Sequence, residues 1–325
     1  MLAAIAAAQC VLAVGIGGGG DVVGALVVAE LAAAIGTPAV VGGLTWERRP
    51  VDPLPGPRRI DELSGARPLN EHAALAGPDT TGPGGFRFAE SHMARHLGEP
   101  VLLLDPSGGP AAVATALAGA AQTLGCDLVV LTDVGGDVLA HGGEAGLGSP
   151  LADAVCLAAA PLLAEQGVDV LGALFGAGCD GELTPDEVTE RLAEVAAAGG
   201  HLGAWGPGCA ELERLEAAVA QIPTEASTMG LRCARGGLGS VPIRDGRRTV
   251  QLTAGGGLVF FFDPLAALRS AARCARLVAG ASSLEKANGI LLGHGIATEL
   301  AWESAQPPPA PAPAPPMGSA PTTER

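Results

Sequence analysis

The chain has 325 residues, 48% of them hydrophobic, and is long enough to bury a substantial core. Its formal net charge of −15 argues against nucleic acid and anionic membranes as partners, because both attract clustered positive charge. Seven cysteines without a Cys-x-x-Cys pair fit a reducing cytoplasm, and no apolar stretch of about 20 residues suits a membrane span. We therefore expect a cytoplasmic globular protein.

Six apolar runs rich in Val and Leu recur along the chain, and alanine-rich segments of helical character separate most of them. The runs are Val11 to Val14, Ala39 to Leu44, Val101 to Leu104, Leu128 to Leu131, Val168 to Phe175 and His201 to Trp205. Because their hydrophobicity is continuous rather than alternating, we expect strands that are buried on both faces. Such strands, alternating with helices, predict an α/β fold with a doubly wound, mostly parallel, Rossmann-like sheet.

The N-terminal part of the chain holds one long connection, residues 47–100, which is rich in proline and carries a dense arginine cluster. Connections of this length are usually functional or disordered, so we interpret it as a candidate lid. The apolar N-terminus has no Lys or Arg before Arg48 and runs into a glycine-rich turn. That pattern favours a first strand over a signal peptide.

The C-terminal part carries three local signals. Thr184-Pro185-Asp186-Glu187 has the pattern of a capping box and predicts a helix to about Ala198. Asp245-Gly246, between two strand-like runs, predicts an antiparallel hairpin. The Pro- and Ala-rich tail cannot bury enough apolar surface to order itself, so we expect one domain over 1–305 and a disordered tail over 306–325.

Two glycine-rich turns, each just past an apolar strand and ending in aspartate, point to a small-molecule site. They are VLAVGIGGGGD, from Val11 to Asp21, and LVVLTDVGGD, from Leu128 to Asp137. Consecutive glycines let backbone amides approach a ligand, and the following helix directs its positive end at the same place. The expected ligand is an anion, held in the first turn by Gly15, Gly17, Gly18, Gly19 and Gly20. Asp21 is either a helix N-cap or a candidate catalytic base.

The first turn also satisfies the dinucleotide fingerprint G-x-G-x-x-G in its required context, between a strand and a helix. The fingerprint expects an acidic residue at the end of the second strand, where Glu47 is followed by Arg48. Glu47 would then contact a ribose and Arg48 a phosphate. An NAD(P)- or flavin-dependent oxidoreductase is therefore an alternative function.

Carboxylates in the second turn suggest a metal ion. Asp133 and Asp137 lie four residues apart across a Gly-Gly turn at the end of a predicted strand. Because carboxylates repel phosphate, we expect either an intervening divalent cation, Mg²⁺ or Ca²⁺, or a hydroxyl-rich ligand. Asp180 follows the next predicted strand and is a third candidate ligand, although a solvated turn explains it equally. Asp137 is also a candidate catalytic residue.

Histidines add two further candidates. His141 follows the second turn and is a candidate general base, while Asp153 is either an oxygen ligand or a helix cap. His92 and His96 lie at i and i+4 on a predicted helix and could face one zinc ion. Without an obvious third ligand, surface or packing roles are favoured for this pair.

Five stretches together carry a resemblance to a known family. They are GIGGGGDVVGA, GGLTWERRPVDPLPGPR, LTDVGGDVLAHGGEAGLGSPLADA, FGAGCDGEL and GLVFFFDP, and they span Gly15 to about Pro264. These stretches resemble domain-of-unknown-function family 1152, a family of prokaryotic α/β proteins. The resemblance supports the fold and the loops and implies no particular reaction.

A second likeness is local. Leu131 to Asp137 is similar to the calcium-binding aspartate loop of nucleoside hydrolases, except that Leu131 stands where that loop has an aspartate. This likeness implies only a cation in the loop. Our leading hypothesis is an enzyme that binds a phosphorylated or nucleotide-like anion and carries out cation-assisted hydrolysis or group transfer. The alternatives are the oxidoreductase and a non-catalytic metabolite-binding protein, and homo-oligomerisation is compatible with each of them.

Overall fold

The structure is a computed structural model that describes residues 1–222 and 224–307. Within these residues the strands are β1 (Val11–Gly15), β2 (Ala39–Leu44), β3 (Arg67–Asn70), β4 (Ala73–Ala76), β5 (Val101–Leu104), β6 (Leu128–Val134), β7 (Asp169–Phe175), β8 (His201–Trp205), β9 (Gly239–Ile243), β10 (Arg248–Leu252) and β11 (Val259–Phe262). The α-helices are α1 (Leu2–Ala7), α2 (Val22–Ala34), α3 (Ala89–Leu97), α4 (Gly109–Leu124), α5 (Leu151–Ala158), α6 (Ala160–Glu165), α7 (Pro185–Ala197), α8 (Cys209–Val219), α9 (Glu225–Ala234), α10 (Pro264–Arg269), α11 (Arg273–Val278), α12 (Leu284–Gly293) and α13 (Glu299–Ser304).

A nine-stranded sheet forms the centre of the molecule, in the order β3-β4-β5-β2-β1-β6-β7-β11-β8. The five strands from β5 to β7 are parallel, and β11 pairs antiparallel with both β7 and β8. The predicted α/β class with a mostly parallel, doubly wound sheet is confirmed. Continuous apolar runs predicted the parallel strands because side chains on both faces of these strands are buried.

Helices cover both faces of the sheet. One apolar core lies between the sheet and helices α4, α5, α6, α11 and α12, and a second lies between the sheet and α2, α3, α8 and α9. Helix α2 buries nine of its residues. Gly24 lets α2 approach the sheet closely, because a Cβ at Gly24 would lie 2.5 Å from Val134 Cγ2.

Several predicted local features are confirmed. Helix α7 begins at Pro185 behind the capping box, in which Thr184 Oγ1 accepts a hydrogen bond from the Glu187 amide at 3.2 Å. The hairpin around Asp245-Gly246 is present as β9 and β10, and it forms a separate two-stranded sheet. The tail predicted to be disordered from Gln306 lies outside the described residues from residue 308 onward.

Two segments differ from their predictions. The apolar N-terminus forms α1 before β1 begins at Val11, because its alanines favour a helix. The connection over 47–100 contributes β3, β4 and α3, and the four residues of β4 are buried beside β5. Alanine-rich β4 lacks the β-branched residues that mark a strand. Movement of this segment as a lid stays a prediction.

The strand order locates the switch point of the sheet. From β1 the chain builds outward through β2 and β5, and it then crosses to β6 and β7 on the other side of β1. The point of reversal lies between β1 and β6, which pair in parallel with Gly15 opposite Thr132. In open α/β sheets, ligands bind outside the carboxyl ends of the strands at this point.

Candidate functional site

The loop after β1 folds back onto its own aspartate. The Gly17 amide donates to Asp21 Oδ2 at 3.0 Å, and the Val134 amide at the end of β6 donates to the same oxygen at 3.3 Å. Asp21 occupies the N-cap position of α2, but its side chain makes no capping hydrogen bond. The carboxylate instead ties the first glycine loop to β6.

Asp21, Asp133 and Asp153 form the first carboxylate group, which we call triad 1. One carboxylate oxygen from each residue lies within 4.8 Å of the others. The backbone of Gly17 runs beside two of them, because a Cβ at Gly17 would lie 2.5 Å from Asp21 Oδ2 and 3.1 Å from Asp153 Oδ2. Only glycine leaves room for the carboxylates at this position.

Neither carboxylate oxygen of Asp133 makes a hydrogen bond of standard geometry, although only 1% of the residue is exposed. Burial, followed by the charges of Asp21 and Asp180, raises the pKa of Asp133 well above its usual value. The nearby Asp137 side chain and Gly136 amide oppose this shift, although neither makes a hydrogen bond of standard geometry with Asp133. Buried polar groups are almost always partnered, so these oxygens call for a partner that the chain does not supply, such as an ion or an ordered water.

The other members of triad 1 are perturbed in the same direction. Burial raises the pKa of Asp21 to about 7, against the hydrogen bond from Gly17 and the charge of Arg48. Burial also raises the pKa of Asp153, and the charges of Asp133 and Asp21 add to the effect. The three carboxylates therefore resist ionising together unless positive charge is added.

Asp137, Asp180 and Glu182 form a second group with oxygens within 4.8 Å of one another, which we call triad 2. Asp180 packs directly on the second glycine turn, since a Cβ at Gly135 would lie 2.3 Å from Asp180 Cγ. Burial raises the pKa of Asp180 to about 7. It also raises the pKa of Asp137 well above its usual value, and Asp153 is the largest charge contributor to that shift.

Glu182 already has a complete set of partners. Its Oε2 accepts hydrogen bonds from the Gly148 and Ser149 amides, both at 2.8 Å. Its Oε1 accepts one from Ser149 Oγ at 2.5 Å and lies 3.3 Å from Arg248 Nη1. Glu182 therefore holds the loop before α5 in place. In triad 2, Asp137 and Asp180 are the residues with ligand capacity to spare.

The predicted metal ligands Asp133, Asp137 and Asp180 thus lie in one region, divided between the two triads. Asp153 joins them although it was also a candidate helix cap. The amides at the start of α5 are taken by another side chain, because Glu299 accepts hydrogen bonds from Leu151 and Ala152 at 3.1 and 2.9 Å. The Asp153 carboxylate is therefore free to face Gly17.

Arg48 supplies positive charge next to triad 1, and its charge lowers the pKa of both Asp21 and Asp153. Its Nη2 donates to Gly17 O at 2.6 Å, and the guanidinium lies over the Trp46 ring, 4.6 Å from the centroid. Glu299 Oε1 lies 3.4 Å from Nη2. Arg48 was predicted to contact a phosphate, whereas these contacts tie it to the first glycine loop and to α13.

Sequence reasoning missed the acidic residues of α13. Glu303 accepts hydrogen bonds from Trp46 Nε1 at 3.0 Å and the Gly56 amide at 2.8 Å. Glu299 and Glu303 lie about 250 residues from Arg48 in sequence, on a short helix near the proline-rich tail. The signal that could have revealed them is the spacing of the two glutamates, which places both on one face of the helix, where they are buried.

Glu47 is engaged with protein groups instead of standing free for a ribose. Its carboxylate accepts a hydrogen bond from the Ala89 amide, the first residue of α3, and so stabilises the start of that helix. In the first glycine loop the Gly19 amide donates to Trp46 O at 2.9 Å. A Cβ at Gly18 would lie 2.7 Å from the same oxygen, and Gly20 packs against Thr224. These contacts fix the loop shape and occupy part of its hydrogen-bonding capacity.

His141 faces α7 instead of the carboxylates. Its Nε2 lies 2.8 Å from Glu194 Oε2, and its Nδ1 lies 2.9 Å from Arg191 Nη1. No measured side-chain contact within residues 1–222 and 224–307 joins the imidazole to either triad. Glu144 likewise serves its own loop, because it accepts hydrogen bonds from the His141, Gly142 and Gly143 amides.

His92 and His96 do lie on α3 as predicted, but they do not belong to a group of metal-binding side chains. Only triads 1 and 2 meet that description among the described residues. His96 Nδ1 contacts Gln221 Nε2 at 3.2 Å, and burial lowers the pKa of His92. The surface or packing interpretation of this pair agrees with these contacts.

A cavity of about 310 Å³ opens beside triad 2. It is lined by residues of the Gly178–Glu187 loop and of β10, among them Gly181, Glu182, Thr249 and Gln251. Triad 1 does not line this cavity. Triad 1 therefore lies at the switch point between β1 and β6, and triad 2 lies on the β7 side, next to the open space.

The whole arrangement falls within one family match. Residues 12–306 match the model of a family described as protein of unknown function, DUF1152. The chain belongs to this family. The match includes both glycine loops, both triads and the acidic residues of α13. No curated protein and no solved structure matches the chain.

In the described part of this DUF1152 protein, no helix has the length and apolar character needed to cross a bilayer. Family membership confirms the resemblance carried by the glycine loops and names no reaction. The function must therefore be argued from the carboxylates themselves.

Proposed function

We propose that this protein is an enzyme that binds a divalent cation, Mg²⁺ or Ca²⁺, through Asp21, Asp133 and Asp153. Its substrate is a phosphorylated or nucleotide-like small molecule, and the reaction is hydrolysis or group transfer. The observation that carries the proposal is Asp133, whose two buried oxygens lack a hydrogen-bond partner beside two further carboxylates.

Charge and ligand chemistry support a cation at this place. Mg²⁺ and Ca²⁺ prefer carboxylate oxygens, and triad 1 offers three within 4.8 Å of one another. Burial raises the pKa of each member, so without a cation the group carries excess protons or mutual repulsion. Bound positive charge would relieve both costs.

The position of triad 1 supports an anionic substrate. It lies beside the first glycine loop at the switch point between β1 and β6, where α/β proteins bind ligands. A bound divalent cation would supply charge for a phosphate group and would lower the pKa of a water ligand. Arg48, anchored on Trp46, adds a cationic group next to the same carboxylates.

Asp21 would serve as a cation ligand rather than as the general base, because a bound divalent cation would hold its carboxylate ionised and lower the pKa that burial raises to about 7. With one cation in triad 1, the carboxylate left as the candidate general base is Asp137, which belongs to the same buried acidic region. The contacts of His141 with Glu194 and Arg191 make it the weakest of the three predicted catalytic residues. We also propose a cytoplasmic location, because all seven cysteines are free thiols.

The test is thermal unfolding of EDTA-treated protein with Mg²⁺ or Ca²⁺ and a panel of nucleotides, sugar phosphates, NAD(P)H and flavins. We expect stabilisation by a divalent cation, enhanced by a phosphate compound, because ligands that bind only the folded state raise stability. Asp133→Asn should abolish both effects. Mass spectrometry of the incubated mixtures then detects turnover.

Asp105→Asn is the matched control. Asp105 follows β5 at the same sheet edge, is 1% exposed and accepts a hydrogen bond from the Ser107 amide at 2.8 Å. This variant should keep the cation response. Absence of any cation response in the wild type contradicts the proposal, stabilisation by a dinucleotide without metal favours an oxidoreductase, and ligand binding without product favours a metabolite-binding protein.

A further inference from the structure

We propose that the site holds two divalent cations, with Asp133 bridging them, one cation in triad 1 and the other between Asp137 and Asp180. This inference rests on the proposed function, because it assigns a second ion to the same site. It also narrows the substrate to compounds whose reacting group can contact both ions, as phosphate esters do.

The sheet places Asp133 between the two triads. Strand β6, which carries Asp133, lies between β1 and β7. Asp21 comes from the loop after β1, and Asp180 comes from the loop after β7. The charges of both residues act on Asp133. One carboxylate therefore faces a neighbouring acidic group on each side.

Asp133 also has two carboxylate oxygens that are free to coordinate, as a bridging ligand needs. Both of its oxygens are buried and have no hydrogen-bond partner, so each is available to one cation. Asp137 returns to the same region across Gly135 and Gly136, which adopt φ values of 136° and 131°. Glycine permits this turn, which places Asp137 within 4.8 Å of its partners in triad 2.

The second ion would use Asp137 and Asp180 as its other ligands. The Glu182 amide donates to Asp180 Oδ1 at 3.1 Å, which orients the carboxylate and leaves Oδ2 available. The Glu182 side chain is held by Ser149 and Arg248, so Glu182 is a positioning residue for Asp180. The contacts that would orient the ligands of a second ion are therefore present.

Charge balance favours two ions over one. Asp21, Asp133, Asp137, Asp153 and Asp180 carry five negative charges when ionised, and all of them except the half-buried Asp21 are buried. A single divalent cation leaves an excess of three negative charges, which would repel an anionic substrate. Two divalent cations leave one, which repels an anionic substrate less. Paired ions on the order of 4 Å apart are a known arrangement for in-line displacement at phosphorus.

The experiment is titration of Mn²⁺ into EDTA-treated full-length protein, followed by electron paramagnetic resonance. We expect two Mn²⁺ per chain with the spectrum of an exchange-coupled pair. Asp180→Asn should bind one Mn²⁺, in the intact triad 1, and its spectrum should show no exchange coupling. Asp153→Asn should bind at most one Mn²⁺. Asp105→Asn, the control, should still bind a coupled pair.

The outcomes separate this inference from the proposed function. One Mn²⁺ per chain in the wild type overturns the second ion and leaves the proposed function standing, and two uncoupled ions overturn the bridge. No bound Mn²⁺ overturns both. Asp133→Asn should lose the coupled pair, and circular dichroism checks that this variant folds. If it does not fold, Asp137→Asn provides the second test, with the same expected result as Asp180→Asn.

Discussion

The substitution Asp180→Asn is expected to stabilise the metal-free protein while weakening metal binding. Asparagine has nearly the same size as aspartate, and its Oδ1 can still accept the hydrogen bond that the Glu182 amide donates at 3.1 Å. The new amide group can donate to the neighbouring Asp137 carboxylate. The change therefore removes a negative charge from an acidic region and keeps the local packing.

The size of the effect follows from the pKa of Asp180. Burial raises that pKa from 3.8 to about 7, and the residue is 6% exposed. A tenfold change in an ionisation equilibrium is worth about 1.4 kcal/mol, so ionised Asp180 destabilises the metal-free fold by roughly 4 kcal/mol at pH 8. This is an upper limit, because the denatured chain also responds to the substitution. At about 2 °C per kcal/mol, the melting temperature of the variant rises by up to about 8 °C.

Differential scanning calorimetry in EDTA at pH 8, with and without Mg²⁺, measures both effects. We expect a higher melting temperature for Asp180→Asn than for the wild type in EDTA, and a smaller gain on adding Mg²⁺. Asp105→Asn should instead be destabilised by about 2 kcal/mol, because Asp105 is satisfied by the Ser107 amide at 2.8 Å and by His72 at 3.3 Å. If Asp180→Asn is destabilised as much as Asp105→Asn, the argument from buried charge is wrong.

The gain in stability of metal-free Asp180→Asn over the wild type should shrink as the pH falls from 8 to 5. A carboxyl with a raised pKa binds more protons in the folded than in the unfolded chain between about pH 4 and 7, so the wild type gains stability as the pH falls. A stability difference that stays constant with pH would contradict this. Gly17→Ala should weaken Mn²⁺ binding at least tenfold in calorimetric titration, because the Cβ of the new alanine would lie 2.5 Å from Asp21 Oδ2. The control Gly77→Ala, whose Cβ would meet open space, should bind Mn²⁺ as the wild type does. Equal affinities of the Gly17→Ala variant and the wild type would refute the close approach. Glu182→Gln should lose about 2 kcal/mol of stability in urea unfolding, because the substitution disturbs the ion pair with Arg248 and the hydrogen bond from the Gly148 amide. An unchanged urea midpoint would show that the loop before α5 does not depend on Glu182.

The parallel strands could be predicted from the sequence because burial on both faces leaves a direct mark. The runs predicted at Ala39 to Leu44 and Val101 to Leu104 coincide with the parallel strands β2 and β5. The run at His201 to Trp205 coincides with β8, which pairs antiparallel with β11 at the edge of the sheet. The two strands that the 47–100 connection contributes leave a weaker mark. Arg67–Asn70 contains proline and arginine, and Ala73–Ala76 is mostly alanine, so β3 and β4 lack the usual signal.

Part of the candidate site could also be predicted, because strand ends of a parallel sheet meet at one edge. That rule was enough to associate Asp21, Asp133 and Asp180. It could not show that the Glu182 carboxylate accepts hydrogen bonds from Ser149 and the neighbouring amides, because these contacts depend on how one loop folds against another.

The contacts of α13 were beyond sequence reasoning for a different reason. Glu299 reaches the start of α5 and Arg48, and Glu303 reaches Trp46. These pairs are separated by about 150 to 260 residues, and no periodicity connects them. The dinucleotide fingerprint shows the converse case. Its glycines and Glu47 have the expected spacing, but Glu47 contacts the start of α3.

The most direct test of the central claim is an anomalous difference map from crystals of the wild-type protein grown with Mn²⁺. We expect a peak at coordination distance from Asp133, with Asp21 and Asp153 as further ligands. A map without a peak near Asp133, with its carboxylate oxygens hydrogen-bonded to ordered water instead, would contradict it.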